Sequence, residues 1–227
     1  MFIRCFKDCC IRPLWRLHTP GHIELPVLPQ QIQKNFRTFQ TLQAAETAYR
    51  FDGGTASRLI LSADNRIVIL AEKLCLNNQV STYTSFAFEL TEDFSINVAD
   101  HNRLVMRSGD QAAKLFRLAS AMDDQDTLSS SGLMLPDGIP ERKLLRFSLY
   151  SGLHNFGNRQ TSLYVLVQAE RSQIRKWHIQ WKPDGYYAVT SPDGVCRYQI
   201  LTDGESVTLR KPETGNAISG TLIHPET

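Results

Sequence analysis

The sequence lacks any apolar run long enough to cross a membrane as a helix. Such a helix needs about 20 consecutive apolar residues, whereas the best runs, 66–71 and 162–167, have the length of a strand. Charged residues and proline interrupt the first 25 residues, so we expect no secretory signal. Three of the five cysteines are crowded between residues 5 and 10, which is not a disulfide framework. We therefore expect an intracellular protein in a reducing compartment.

The sequence also lacks a large excess of charge of either sign. Lys and Arg number 25 against 23 Asp and Glu, which gives a net charge of +2 over 227 residues. This balance argues against a strongly basic nucleic-acid-binding protein, so we do not expect nucleic acid as a partner. The apolar fraction of 42% is ordinary for a globular chain.

Sequence signatures of common enzymes are missing as well. The chain contains no G-x-S-x-G, no G-x-G-x-x-G and no P-loop. These absences favour a non-enzymatic protein. We expect no cofactor, apart from the zinc ion considered below.

Residues 29–50 show the spacing of an amphipathic helix. Their apolar residues recur at intervals of three and four, which places them on one helical face. A proline at the start and a Gly-Gly pair beyond the end agree with this interpretation. We predict a helix at 29–50 whose aromatic residues Phe36, Phe39 and Tyr49 contact a partner.

From residue 57 the apolar period changes to two, which is typical of strands. Tight turns are indicated by Asp-Asn at 64–65 and by the connectors KPDGY, SPDGV, TDGES and PETGN. We predict a mainly β fold, an antiparallel β-sandwich or barrel built from hairpins, with one N-terminal amphipathic α-helix. The β domain covers 51–227. A polar loop at 123–143 lies within it or separates two β halves, 51–122 and 144–227.

Residues 1–28 form an arm rich in cysteine, histidine and proline, which has several interpretations. Two cysteine–histidine pairs supply the ligand types that zinc prefers: Cys5, Cys9, His18 and His22. Three cysteines beside basic and aromatic residues suit S-acylation at a membrane surface: Cys5, Cys9 and Cys10. The arm also has the composition of an import presequence, or of a terminal segment without chemistry of its own.

The segment RKWHIQWK alternates basic and aromatic residues. As a strand, it places Lys176, His178 and Lys182 on one face, which offers a cationic surface to phosphates and other anions. Trp177 and Trp181 share the other face, as is typical of a core-facing pair. Because the cations and the aromatic rings are on opposite faces, we do not expect RNA bases to stack there.

The hairpins between residues 57 and 108 resemble the tubby-like fold of phospholipid scramblases. The resemblance rests on a glutamate after the second strand and on the spacing of the next unit: Glu72, Phe94, Ile96, Val98 and Asp100. It implies a function at a membrane surface. It does not extend into the C-terminal half, which lacks the hydrophobic helix of those proteins.

The exposed strand edges of such a fold predict a non-enzymatic module that binds a protein partner or itself, including at a membrane surface. Two alternatives remain open. One is a small-molecule-binding β-barrel or an enzyme, with a site near the loop at 152–159, where His154 and Arg159 are rim candidates. The other is a structural protein of the virion or coat kind.

Overall fold

Strands make up nearly all of the regular structure in this computed structural model. The structure describes residues 3–6, 9–12, 16–17, 25–26, 30–51, 54–76, 84–90, 95–100, 103–118, 128–129, 145–151 and 159–222. The first ten strands are β1 (Ile3–Phe6), β2 (Cys9–Arg12), β3 (Arg16–Leu17), β4 (Leu25–Pro26), β5 (Gln30–Phe39), β6 (Leu42–Phe51), β7 (Gly54–Ala63), β8 (Ile67–Leu76), β9 (Thr84–Leu90) and β10 (Ser95–Asp100). The next ten are β11 (Arg103–Ser108), β12 (Gln111–Leu118), β13 (Leu128–Ser129), β14 (Leu145–Ser151), β15 (Arg159–Glu170), β16 (His178–Lys182), β17 (Tyr186–Thr190), β18 (Cys196–Thr202), β19 (Ser206–Arg210) and β20 (Ala217–Thr221). A 3-10 helix, Ile174–Lys176, lies between β15 and β16.

The strands pair in antiparallel fashion, which confirms the predicted mainly β, antiparallel fold. Eight of them form one sheet in the order β10-β11-β12-β15-β8-β7-β6-β5. The C-terminal strands form a second sheet in the order β16-β17-β18-β19-β20, and β1-β2-β9-β14-β13 form a third. β3 pairs with β4. In the eight-stranded sheet, β15 lies between β8 and β12, so both halves of the β region contribute to it.

One face of the eight-stranded sheet packs on the C-terminal sheet. Alternate residues of β7, such as Leu59 and Leu61, meet Val189 and Ile200 of the C-terminal sheet in one apolar cluster. All four are inaccessible to solvent. Burial of this apolar area, at about 25 cal/mol per Å², is the main force that joins the two sheets.

The opposite face of the eight-stranded sheet is buried too. Ile60, Leu70 and Met106 lie on it and are at most 8% exposed. Among them, Arg58 and Glu72 form a buried ion pair. Because both faces are covered, the central strands carry nearly continuous apolar runs in place of a strict alternation. Among the residues described, no helix has the length and apolar character to cross a membrane.

The helix predicted at 29–50 is wrong. The segment instead forms the antiparallel strands β5 and β6, joined by a tight turn in which Gln40 has a φ of 54°. β5 is the edge strand, and its described side chains are exposed on both faces. In β6, side chains that point to either face of the sheet are buried, because both faces are covered at this strand. The apolar residues of β5 and β6 lie on both faces of these strands. Their positions along the sequence nevertheless coincide with the spacing of three and four that is typical of a helix.

The aromatic face expected on that helix does not exist. Phe36 pairs with Ala45 and Phe39 with Leu42, so the two phenylalanines point to opposite faces of β5. Their exposures are 60% and 49%, whereas Tyr49 is half-buried on the neighbouring strand. Hence these three side chains do not form a single contact surface.

Candidate functional site

Several turns meet at one end of the eight-stranded sheet because of its antiparallel register. Ser108 pairs with Gln111 across the β11–β12 turn, Gln111 pairs with Glu170, and Val167 pairs with Ile67. The beginnings of β8 and β12 therefore flank the end of β15. The segment after β15 continues through the 3-10 helix into the C-terminal sheet. Side chains from distant parts of the sequence are thus brought together here.

A groove of about 870 Å³ lies at this end of the sheet, and we call it the arginine groove. Its polar lining comes from the β11–β12 turn and from the segment around the end of β15: Arg107, Asp110, Gln111, Glu170, Arg171 and Arg175. The backbone N–H of Arg171 donates to the carbonyl of Asp110 at 2.8 Å. This hydrogen bond fixes the two walls of the groove relative to each other.

The charges of the arginine groove are not balanced. Three guanidinium groups face two carboxylates, so the lining carries a net charge of +1. Within the described part of the chain, Arg107, Arg171 and Arg175 form no ion pair. A guanidinium group presents five N–H donors in a rigid plane, which suits paired oxygens of an oxyanion. The lining of the groove is therefore chemically suited to contacts with oxyanions.

A second cleft, of about 380 Å³, lies next to the groove, and we call it the Trp177 cleft. Its lining includes Arg66, Glu170, Gln173, Trp177, Asp193 and Arg197. The guanidinium carbon of Arg66 lies 5.9 Å from the centroid of the Trp177 ring, within the range of a cation–π interaction. Trp177 itself is 2% exposed, so the ring forms the floor of the cleft and Arg66 covers it.

One wall of the Trp177 cleft is a turn held by its own side chains. The hydroxyl of Ser191 donates to the carboxylate of Asp193 and accepts from Nε of Arg197 at 3.0 Å. The hydrogen bond from Ser191, with a second from the N–H of Val195, lowers the pKa of Asp193 to about 2. Arg197 also donates to Asp193 at 2.5 Å. The charge of Arg197 is therefore compensated, while Arg66 has no ion-pair partner among the described side chains.

The β7–β8 turn, which carries Arg66, is anchored to the C-terminal sheet through Asp64. The carboxylate of Asp64 accepts hydrogen bonds from the Tyr198 hydroxyl and from Nζ of Lys211, each at 2.9 Å. Burial raises the pKa of Asp64, but hydrogen bonds from Thr41, Lys211 and Tyr198 outweigh it, so the net pKa is lowered. Burial and the Asp64 acceptor raise the pKa of Tyr198, which keeps its hydroxyl protonated as a donor.

We expect Asp64→Asn to lower the free energy of unfolding at neutral pH by about 1–2 kcal/mol, since it weakens hydrogen bonds to a charged acceptor. The folded-state pKa of Asp64 is depressed. The stabilisation is therefore present above the unfolded pKa of about 3.9 and is lost as the pH falls through the folded-state pKa. Chemical denaturation at several pH values should show the difference from wild type shrinking on acidification. Asp184→Asn, at an exposed turn residue, is the control, and an equal response of both variants would contradict the assignment.

The residues of the predicted anion surface at 176–182 belong to two neighbouring elements. Lys176 ends the 3-10 helix, while His178 and Lys182 lie on the exposed side of β16. Nζ of Lys182 donates to Oε1 of Gln180 at 3.0 Å, and His178 Nδ1 lies 3.3 Å from the carbonyl of Lys176. Anion binding at these residues stays a prediction.

The other predicted sites fall largely outside the described residues. Cys5 lies in β1 and Cys9 and Cys10 in β2, but their side chains are not described. His18 and His22 are outside the described residues, as is the loop at 152–158 with His154. The described part of the loop at 123–143 is the short strand β13. The metal, acylation and loop-site hypotheses therefore stay predictions.

The residues of the arginine groove and the Trp177 cleft were not found from sequence. Their cations are spread over the chain and belong to no contiguous motif: Arg66, Arg107, Arg171, Arg175 and Arg197. A usable signal was present, because arginine stands in each of the short polar segments DNR, RSGD and ERSQIRK. Only the strand order, which places these turns at one end of a sheet, shows that the turns lie close together.

Solved structures that are similar to this chain include heparan sulfate lyases. Heparan sulfate lyase HepC from Pedobacter heparinus matches with a TM-score of 0.59 and 10% sequence identity, over 93% of this chain and 30% of that one. Heparinase III matches with a TM-score of 0.55 and 12% identity, over 91% of this chain and 29% of that one. The chain thus spans about 30% of the length of the structures that it matches. No protein-family model and no curated protein matches the sequence.

This similarity corrects the function that we predicted from sequence. The prediction of a non-enzymatic module acting through protein–protein contacts is wrong, because solved structures that share this fold include heparan sulfate lyases. At 10–12% sequence identity, the similarity shows a shared β fold. The similarity also gives no support to the membrane-surface function implied by the resemblance to scramblases.

Proposed function

We propose that this chain is a carbohydrate-binding β-sandwich whose ligand is an acidic polysaccharide, bound in the arginine groove. The observation that carries the proposal is the convergence of Arg107, Arg171 and Arg175 on one groove without ion-pair partners among the described residues. Sulfate and carboxylate groups of such a polymer are the oxyanions that guanidinium groups bind in bidentate fashion. The similarity of the fold to that of heparan sulfate lyases supports the choice of ligand class.

The other polar groups of the groove agree with a sugar ligand. Gln111 supplies an amide that can donate and accept, and Ser172 supplies a hydroxyl. Asp110 and Glu170 can accept hydrogen bonds from sugar hydroxyl groups. They also disfavour ligand orientations that bring a sulfate or carboxylate group next to them. A mixture of cations, neutral polar groups and a minority of carboxylates thus favours a ligand that carries both negative charges and hydroxyl groups.

We expect the double variant R171Q/R175Q to weaken binding of heparan sulfate on the order of tenfold or more, because it removes two charge-assisted contacts. Both side chains are exposed, so we expect the fold to be unaffected. Affinity should be measured by surface plasmon resonance on immobilised heparan sulfate at increasing salt concentration. Because the contacts are ionic, wild-type affinity should fall with salt, and the variant should show a shallower dependence.

The matched control is K34Q/R210Q, which removes the same number of positive charges from exposed positions on β5 and β19. This control should bind heparan sulfate as wild type does, and neutral dextran of similar length should bind to none of the proteins. Equal losses in both double variants would indicate a general charge effect and would refute the arginine groove as the site. No binding of heparan sulfate by the wild type would refute the proposed function.

A further inference from the structure

The arginine groove and the Trp177 cleft are adjacent, and Glu170 lines both. The strands that carry them are neighbours in the order β11-β12-β15-β8. On one side, the N–H of Arg171 donates to the carbonyl of Asp110 at 2.8 Å. On the other, the N–H of Gln168 donates to the carbonyl of Arg66 at 2.7 Å. The end of β15 is therefore fixed to both neighbouring turns, and the two recesses keep a fixed relative position.

The cations with no described ion-pair partner form a row across this end of the sheet. Arg107 ends the row on the β11 side and Arg66 ends it at the beginning of β8, with Arg171 between them. Three strand spacings of about 4.8 Å separate β11 from β8, so the row spans roughly 14 Å before side-chain reach is counted. One sugar ring does not reach across such a distance, whereas several linked rings do.

The second recess offers a single positive contact. The charge of Arg197 is compensated by Asp193 at 2.5 Å, and Trp177 is covered by Arg66. Arg66 is therefore the cation that the Trp177 cleft offers to a ligand, with the Gln173 amide as a neutral polar neighbour. The cleft is thus suited to one additional anionic group of a ligand already held in the arginine groove.

We propose that the arginine groove and the Trp177 cleft form one extended site, in which a chain of several sugar units runs from Arg107 over Glu170 to Arg66. This inference rests on the proposed function, since it assumes that the ligand is an acidic polysaccharide. An extended site makes affinity depend on the length of the oligosaccharide. A short oligosaccharide occupies the arginine groove alone, and a longer one also reaches Arg66.

The test is the binding of size-fractionated heparan sulfate oligosaccharides, measured by isothermal titration calorimetry, to wild type, R66Q, R66K and R171Q/R175Q. We expect R66Q to match wild type for the shortest oligosaccharide that binds, and to lose on the order of tenfold in affinity for the long ones. R66K, which keeps the charge, should recover part of that loss. R171Q/R175Q should be weaker at every length.

The outcomes distinguish the two proposals. If wild type binds but R66Q equals wild type at all lengths, or loses the same factor at all lengths, the extended site is overturned and the proposed function stands. If wild type binds no oligosaccharide, the proposed function is overturned, and the extended site with it. Thermal unfolding of R66Q should lie close to that of wild type, because Arg66 is an exposed turn residue and the substitution removes only its cation–π contact with Trp177. If R66Q unfolds earlier, the comparison of R66Q with R66K decides. Equal affinity of these two variants at every length overturns a charge contact at Arg66.

Discussion

Replacing Trp177 with alanine is expected to lower the free energy of unfolding by about 3–5 kcal/mol, the range for deletion of a large buried aromatic side chain. Trp177 is 2% exposed and belongs to the apolar cluster between the eight-stranded and the C-terminal sheets. Its backbone carbonyl accepts a hydrogen bond at 2.8 Å from Nζ of Lys114, which is itself buried. The ring is packed between two sheets and its backbone is held by Lys114. We therefore expect the neighbouring side chains to move little into the cavity that the substitution leaves.

Trp181→Ala is the matched control for this experiment. Trp181 lies four residues further along the chain, is 51% exposed, and packs edge-on against Tyr187 at a ring-centroid distance of 4.7 Å. We expect a loss of about 0.5–1.5 kcal/mol, the value of an aromatic pair. Chemical denaturation of the two variants under identical conditions measures both losses. Similar losses would contradict the assignment of Trp177 to the core and Trp181 to the surface.

The two tryptophans show how much an alternating sequence pattern can predict about the burial of side chains. The pattern correctly assigned Trp177 to the core, but it gave Trp181 the same environment. Trp181 is near the end of β16, and β16 is the edge strand of its sheet. A periodicity of two specifies the face on which a residue lies. It does not specify whether another sheet extends far enough to cover that residue.

The C-terminal sheet was the most predictable part of the fold. Each of its four connectors contains a glycine in the predicted turn, and all four adopt a positive φ: Gly185, Gly194, Gly204 and Gly215. Local chemistry decides such turns, because a positive φ is nearly free for glycine and costly for most other residues. Strand boundaries set by these turns can therefore be predicted without knowledge of the tertiary structure.

The hairpin of β5 and β6 could not be predicted from local sequence. Residues 29–50 are rich in glutamine and alanine, which favour helices, and their apolar residues fit a helical spacing. In the structure, β6 pairs along its length with β7, from Leu42 opposite Ala63 to Phe51 opposite Gly54. Long-range pairing of this kind overrides local propensity. The same reason explains the missed site, since only strand order brings Arg66 and Arg107 to one end of the sheet.

The close packing of β20 on the eight-stranded sheet predicts a second large effect on stability. Gly220 lies on the core-facing side of β20, between the buried residues Ile218 and Leu222. A methyl group on Gly220 would overlap Cδ1 of Leu59 and would lie 3.0 Å from Oε1 of Glu46. That same oxygen accepts the N–H of Thr221 at 3.2 Å. Glycine is thus required here by the small distance between β20 and the sheet beneath it.

We expect Gly220→Ala to lower the free energy of unfolding by about 1–3 kcal/mol, the usual cost of overpacking a well-filled core. Leu59 is 0% exposed, so it cannot move aside without displacing its own neighbours. Ser219→Ala, at the preceding exposed position, is the control. It should cost much less, because it removes only a surface hydroxyl pair with Thr208.

A double-mutant cycle decides whether the Leu59 side chain is the cause of this loss. Leu59→Ala alone should cost about 2–5 kcal/mol because it opens a cavity. In the double variant the methyl group at position 220 occupies part of that cavity. The combined loss should therefore be smaller than the sum by on the order of 1 kcal/mol, as is typical of residues in contact. Additive losses in chemical denaturation would show that the contact between Gly220 and Leu59 does not limit the approach of β20, and that Glu46 or the strand backbone sets it.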